Sequence, residues 1–168
     1  AVGVSETPSR RIIFSCRPSA TLADTTCARQ LLTRLGTRAY RRELTSHDVS
    51  GLMTFYKRAA LSGGFEEGIR SGLQAMLASP YFVFRFETTP DNATPGKDYK
   101  LSDYELATRL SFFLWSSIPD DRLLKLAAAG RLSQPVTLDA EVTRMLADPR
   151  ADALATRFAG QWLRLQDI

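Results

Sequence analysis

The stretch Ser102-Asp-Tyr-Glu-Leu-Ala-Thr-Arg-Leu-Ser-Phe-Phe-Leu-Trp115 decides the fold class. Ser102 followed three residues later by Glu105 is a capping box: each side chain satisfies a backbone N–H that a helix start leaves open. Behind it, Tyr104, Leu106, Ala107, Leu110, Ser111, Phe113, Leu114 and Trp115 run with few polar interruptions after Arg109. An element apolar nearly all round is expected to be the most buried of its domain.

The same grammar recurs on both sides. Downstream, Pro119-Asp120-Asp121 opens a short helix over Leu123 to Ala129, closed by Gly130. Another helix is predicted from Pro135 to Ala147. Asp148-Pro149 then opens a last one that carries Leu154, Phe158, Trp162, Leu163 and Leu165. Upstream, Thr88 to Tyr99 is rich in Pro, Asp, Asn, Gly and Thr and reads as a linker. Ser79-Pro80 restarts the chain as N-cap and first helical residue. The aromatic segment Tyr81 to Phe86 after it reads as a helix, with a strand as the alternative. Phe65 to Ala78 has Ile69, Leu73, Met76 and Leu77 on its predicted buried face, and Gly68 and Gly72 suit close helix packing. Ser62-Gly63-Gly64 separates it from a helix capped by Thr45 and Asp48 that carries Val49, Leu52, Met53, Phe55 and Tyr56. Thr21 and Asp24 open a helix with Leu22, Leu31, Leu32 and Leu35, ending around Tyr40. Residues 1 to 20 lack periodicity and read as a linker. The expectation is an all-α bundle of about seven or eight helices in two packed halves.

The 168 residues are 44% hydrophobic and 24% charged, the composition of a globular chain. No apolar run is long enough to span a bilayer. No signal-like start is present, so either a signal has been removed or the chain begins inside a longer one. The net charge of +4 is uneven. Arg10, Arg11, Arg17, Arg29, Arg34, Arg38, Arg41 and Arg42 face only Glu6 and Asp24 in the first 42 residues. No nucleic-acid motif accompanies this charge, so nucleic acid is not an expected partner and a solvated helix face is the plain reading. An anion or acidic-surface site using Arg34, Arg38, Arg41 and Arg42 is the sharper alternative.

Cys16 and Cys27 are too far apart in sequence for a two-residue metal or haem grip. A loop folding back on the helix start would let them bond, closing a short ring worth about 2–3 kcal/mol in the chain-entropy picture. The alternative is two buried thiols. A disulfide implies an oxidising compartment, hence a periplasmic or secreted chain.

Chemistry is sparse. His47 is the sole histidine and falls in the first turn of a helix, where a surface position is expected. Neither a multi-histidine metal site nor Cys-x-x-Cys-His haem attachment is possible, so no metal and no cofactor are expected in this chain. Met53, Met76 and Met145 sit among apolar neighbours and read as core. Asp120 and Asp121 follow a proline at a helix start, where carboxylates favour the positive end of the dipole. No catalytic constellation is visible. Were the chain part of an exported enzyme completed by other domains, Arg109, Asp120 and Asp121 would be the local candidates.

One long motif resembles a known family. Leu106-Ala-Thr-Arg-Leu-Ser-Phe-Phe-Leu-Trp-Ser-Ser-Ile-Pro-Asp-Asp-Arg-Leu-Leu-Lys-Leu-Ala-Ala-Ala-Gly-Arg-Leu132 is similar to the fourth planctomycete-specific domain, a domain of unknown function in large exported bacterial proteins. Met145 to Arg150 and Phe158 to Leu163 match its continuation. Cys27 to Leu32, Arg38 to Arg42, Gly64 to Ile69 and Ala78 to Phe82 resemble the fifth domain of the same set. The resemblance covers about residues 12 to 168; with the linkers read from composition over 1–20 and 88–100, it implies the fifth domain over 21–87 and the start of the fourth over 101–168, stopping before its usual end. It implies no catalytic residues. It implies a place in long periplasmic or secreted chains that often carry a c-type cytochrome domain, so haem c is expected only in a missing or partner domain. The expected function is a structural or protein-interaction module of such an assembly. The alternative is a non-catalytic part of an exported enzyme. The apolar face of the last helix, with Phe158, Trp162 and Leu165, is the expected interaction surface, because nothing after it in this chain supplies a cover; the alternative is that it packs back on the first helices.

Overall fold

The computed structural model describes residues 6–19, 24–91 and 93–164. Among these the regular structure is helical, and the fold is all-α. The chain divides into two compact units, Ala1–Tyr40 with Leu44–Phe84, and Arg41–Glu43 with Arg85–Ile168.

The first unit holds α1 (Pro8–Ile13), α2 (Asp24–Tyr40), α3 (Ser46–Ala78) and α4 (Pro80–Val83). Helix α1 lies within residues read as a linker. Six residues are too few to show a helical period, and tertiary bonds hold this helix. The Thr7 hydroxyl accepts from the Arg10 N–H. The Arg34 guanidinium of α2 donates to the carbonyls of Ile12 and Ile13 at 2.7 and 2.9 Å, satisfying acceptors that a helix end leaves open. Arg10 and Arg17 both reach Glu66 and lie over the Phe14 ring at 5.1 and 4.9 Å. Cys16 and Cys27 form a disulfide, with Cα atoms 5.9 Å apart. It ties this segment to the start of α2. The expected helix start at Thr21 and Leu22 lies outside the described residues.

Helix α2 buries Cys27, Ala28, Leu31, Leu32 and Tyr40, and Thr45 and Asp48 form the expected capping box of α3. The two helices expected on either side of Ser62-Gly63-Gly64 meet at Gly64 alone, whose φ of 74° and ψ of −170° break α3. Glycine reaches that region without a Cβ penalty. On a straight helix Tyr56 and Gly68 would lie about 18 Å apart. Here a Cβ added to Gly68 would meet the Tyr56 ring at 2.6 Å and the Tyr56 carbonyl oxygen at 2.9 Å. The chain therefore doubles back at Gly64. Gly72 meets Leu32 of α2 in the same way, at 2.8 Å. Leu77 of the predicted buried face is exposed, and Gly68 and Gly72 are buried beside Ile69 and Met76. Small residues bring the backbones close, which leaves the leucine outside. Ser79 caps α4, so the segment from Pro80 begins as a helix and not as a strand.

The second unit holds α5 (Asp103–Trp115), α6 (Asp121–Ala128), α7 (Pro135–Leu146), a 3-10 turn (Pro149–Ala151), a π-helical segment (Leu154–Ala159) and α8 (Gly160–Trp162). Ser102 and Glu105 cap α5, and Ser116 ends it in the left-handed region. Asp120 caps α6, and Gly130 follows it with a φ of 62°. Asp148 caps the turn that follows α7. The core collects Ala107, Leu114 and Trp115 of α5, Leu123 and Ala127 of α6, Leu132, and Met145 of α7. Helix α5 is less enclosed than its composition suggests. Ala107, Ser111, Leu114 and Trp115 are buried, whereas Phe113 is 50% exposed.

Gly68→Ala is expected to destabilise the chain by about 1–3 kcal/mol, because the Tyr56 backbone cannot swing aside as a side chain would. Gly51→Ala, in α3 with nothing within 4 Å of the new Cβ, should be neutral or stabilising by up to about 1 kcal/mol. Urea denaturation of both variants checks the pair.

Candidate interaction surface

The second unit is organised around Trp115. Its indole N–H donates to the Met145 carbonyl at 2.9 Å. Arg144 and Arg150 place their guanidinium carbons 5.4 and 3.6 Å from the ring centroid. Glu141, only 1% exposed, accepts from Arg122 Nε at 2.7 Å and Arg144 Nε at 2.8 Å. Arg144 continues to Asp120 at 2.9 Å. Asp148 accepts two bonds from the Arg150 side chain, and this guanidinium brings its pKa down to about 2.

This network accounts for the acidic pair singled out in the sequence. Asp120 Oδ1 accepts the Leu123 N–H at 2.9 Å, and Asp120 Oδ2 is the counter-ion of Arg144. Asp121 is exposed in the first turn of α6. Neither lines the depression that Arg109 borders.

Helix α5 turns its other side to an aromatic stack. The Phe113 and Phe158 rings meet edge to face at 5.2 Å. Phe158 and Trp162, four residues apart, stack at 6.3 Å with planes 13° from parallel. Phe158 is 47% exposed and Trp162 74%, and Leu163 beside them is also exposed. Leu165, grouped with this face on sequence, lies outside the described residues. The pattern showed Phe158 and Trp162 as a helical pair but missed Phe113, since the apolar wrapping of α5 hid which of its faces stays open. Phe158 lies within the π-helical segment, a geometry often kept at functional sites.

Next to Phe113 is a surface depression of about 400 Å³. Arg109 crosses it to Glu87 through two bonds of 2.6 Å, which lowers the Glu87 pKa and raises that of Arg109. The Arg85 guanidinium sits 4.5 Å above the Phe112 ring and Arg41 lies 5.9 Å from it. Arg41 is buried, and burial together with the charge of Arg85 lowers its pKa.

The other sequence candidates resolve individually. His47 is exposed. Met53, Met76 and Met145 are core residues. The arginines read as one basic stretch do not form an open stripe: Arg34 is held by the last carbonyls of α1, Arg38 is half-buried, Arg41 is buried, and Arg42 donates to the Glu43 carbonyl. Cysteine nucleophiles are ruled out for Cys16 and Cys27 while they are bonded to each other. Among the described residues no helix is long and apolar enough to cross a membrane.

The chain is thus built of two all-helical modules, and comparison with known families assigns each. One family model, PSD5, described as a protein of unknown function (DUF1595), matches residues 27–87. Another, PSD4, described as a protein of unknown function (DUF1592), matches residues 101–168. The chain carries these two domains of unknown function. No curated protein and no solved structure matches it.

Glu141→Ala is expected to cost about 1–3 kcal/mol: it removes the charge-assisted bonds to Arg122 and Arg144, but Arg122 is largely exposed and Arg144 keeps Asp120. Thermal unfolding followed at Trp115 measures the loss. For Asp148, the folded pKa of about 2 lies below the unfolded value of 3.8. Its stabilising contribution is therefore complete above the unfolded value and is lost as pH falls through about 2. NMR titration of Asp148 should find a midpoint near 2, and Arg150→Gln should raise it.

Proposed function

We propose that the chain is a structural and interaction module of a larger periplasmic, c-type-cytochrome-associated protein or assembly. The observation that carries this reading is the exposed stack of Phe113, Phe158 and Trp162. Aromatic side chains open on one face, set on a scaffold tied by a buried ion network, have the composition of interface anchors. Trp and Phe offer large apolar area with few rotatable bonds to immobilise. The disulfide supports an oxidising compartment. The likeness to domains of large exported proteins supports a position within a longer chain. In this reading haem c belongs to another domain or subunit, because this sequence has no Cys-x-x-Cys-His to hold it. The occupant of the stack is another domain of the same assembly.

Hydroxyl-radical footprinting tests the docking. Phe158 and Trp162 should oxidise readily in the 168-residue chain and be strongly protected in the complete natural assembly. Equal labelling in both would overturn the reading. Phe158→Ala with Trp162→Ala should leave the folded chain intact by circular dichroism and abolish capture by the rest of the assembly.

A further inference from the structure

A second feature of the same unit, which shares Phe113 with the docking face, points to a ligand. Two guanidinium groups approach the Phe112 ring, Arg85 at 4.5 Å and Arg41 at 5.9 Å. Each is attracted to the negative face of the ring, and the two repel one another. Arg85 lines a depression together with Phe86, Phe112 and Phe113, and Arg41 is buried and outside that lining.

The acids at this place are already engaged. Glu87 gives both carboxylate oxygens to Arg109. Glu105 accepts from the Thr88 N–H, the Ser102 N–H and the Ser102 hydroxyl. The Thr108 hydroxyl donates to the Tyr104 carbonyl. Among the described residues no carboxylate pairs with Arg85. The depression therefore presents one guanidinium with open in-plane donors, above phenyl rings, in a space of about 400 Å³. That volume falls in the range of small-molecule sites, which combine apolar walls with a few polar groups.

We infer that this depression binds a small aryl carboxylate. The carboxylate accepts a forked, charge-assisted pair from Arg85. The aryl body lies against Phe112 and Phe113, where offset and edge-to-face ring contacts are favourable. Three phenyl walls select against a fully hydrated inorganic anion, which would lose water without gaining ring contact. A neutral isostere keeps the ring contact and loses the charge pair.

NMR titration of the whole chain with benzoate, benzamide and inorganic phosphate tests this. Benzoate should bind saturably and shift the ring protons of Phe112 and Phe113. Benzamide and phosphate should not saturate over the same range. Arg85→Gln should weaken benzoate by at least about tenfold, the scale of losing one charge-assisted pair. Arg70→Gln, which removes an exposed arginine paired with Glu67 in the first unit, should leave it unchanged. Circular dichroism confirms that both variants fold. Absence of saturable benzoate binding overturns the inference, as does equal affinity in Arg85→Gln or phosphate binding as tight as benzoate. Failure of the docking reading would leave each of these outcomes unaltered.

Discussion

The carboxylate of Glu141, almost wholly withdrawn from water, accepts from Arg122 of α6 and Arg144 of its own helix α7. Arg144 passes the constraint to Asp120, the cap of α6, and to the ring of Trp115 on α5. One anion thus ties α5, α6 and α7 together, ahead of the π-helical segment that carries Phe158 and of α8, which carries Trp162. Desolvating such a group costs several kcal/mol, so the network contributes little net stability even when complete. It contributes geometry instead: the partners must all be present in one arrangement, since any orphaned charge would be expensive. Phe113 and the α5 wall of the depression sit on the helix that Trp115 joins to this network.

The first unit is fixed by different means. Here the decisive contacts are made by what is absent from the side chain. Gly68 admits Tyr56, Gly72 admits Leu32, and Gly64 supplies the one turn in α3. No ion network of comparable burial holds the core of this unit among the described residues. Two ion pairs of this unit, Arg10 and Arg17 with Glu66, lie nearer the surface and attach the N-terminal segment. The two modules show two routes to a defined helix arrangement, close backbone approach in one and a committed buried charge in the other.

Features that depend on four or five neighbouring residues were legible in the sequence. The boxes at Thr45 and Asp48 and at Ser102 and Glu105 form as local chemistry requires. So do the Asp120 cap and the Gly130 stop. Features set by distant partners were not. Helix α1 depends on Arg34, more than twenty residues away. The exposure of Phe113 and Leu77 depends on which neighbours claim the opposite faces. Of the candidate surface, Phe158 and Trp162 could be read from their helical spacing, and Phe113 could not. Arg85 gave no signal at all, because its meaning comes from the ring of Phe112, far along the chain.

The disulfide has a chemical asymmetry that follows from burial alone. Cys27 is fully enclosed by the first core, whereas Cys16 is only half covered. An external thiolate can reach the pair only at the Cys16 sulfur. That attack forms a mixed disulfide on Cys16 and expels Cys27 as a thiolate. The departing sulfur then carries its negative charge in an apolar interior, where a thiolate is disfavoured and makes a poor leaving group. The bond is shielded less by a barrier around it than by the surroundings into which its leaving group must go.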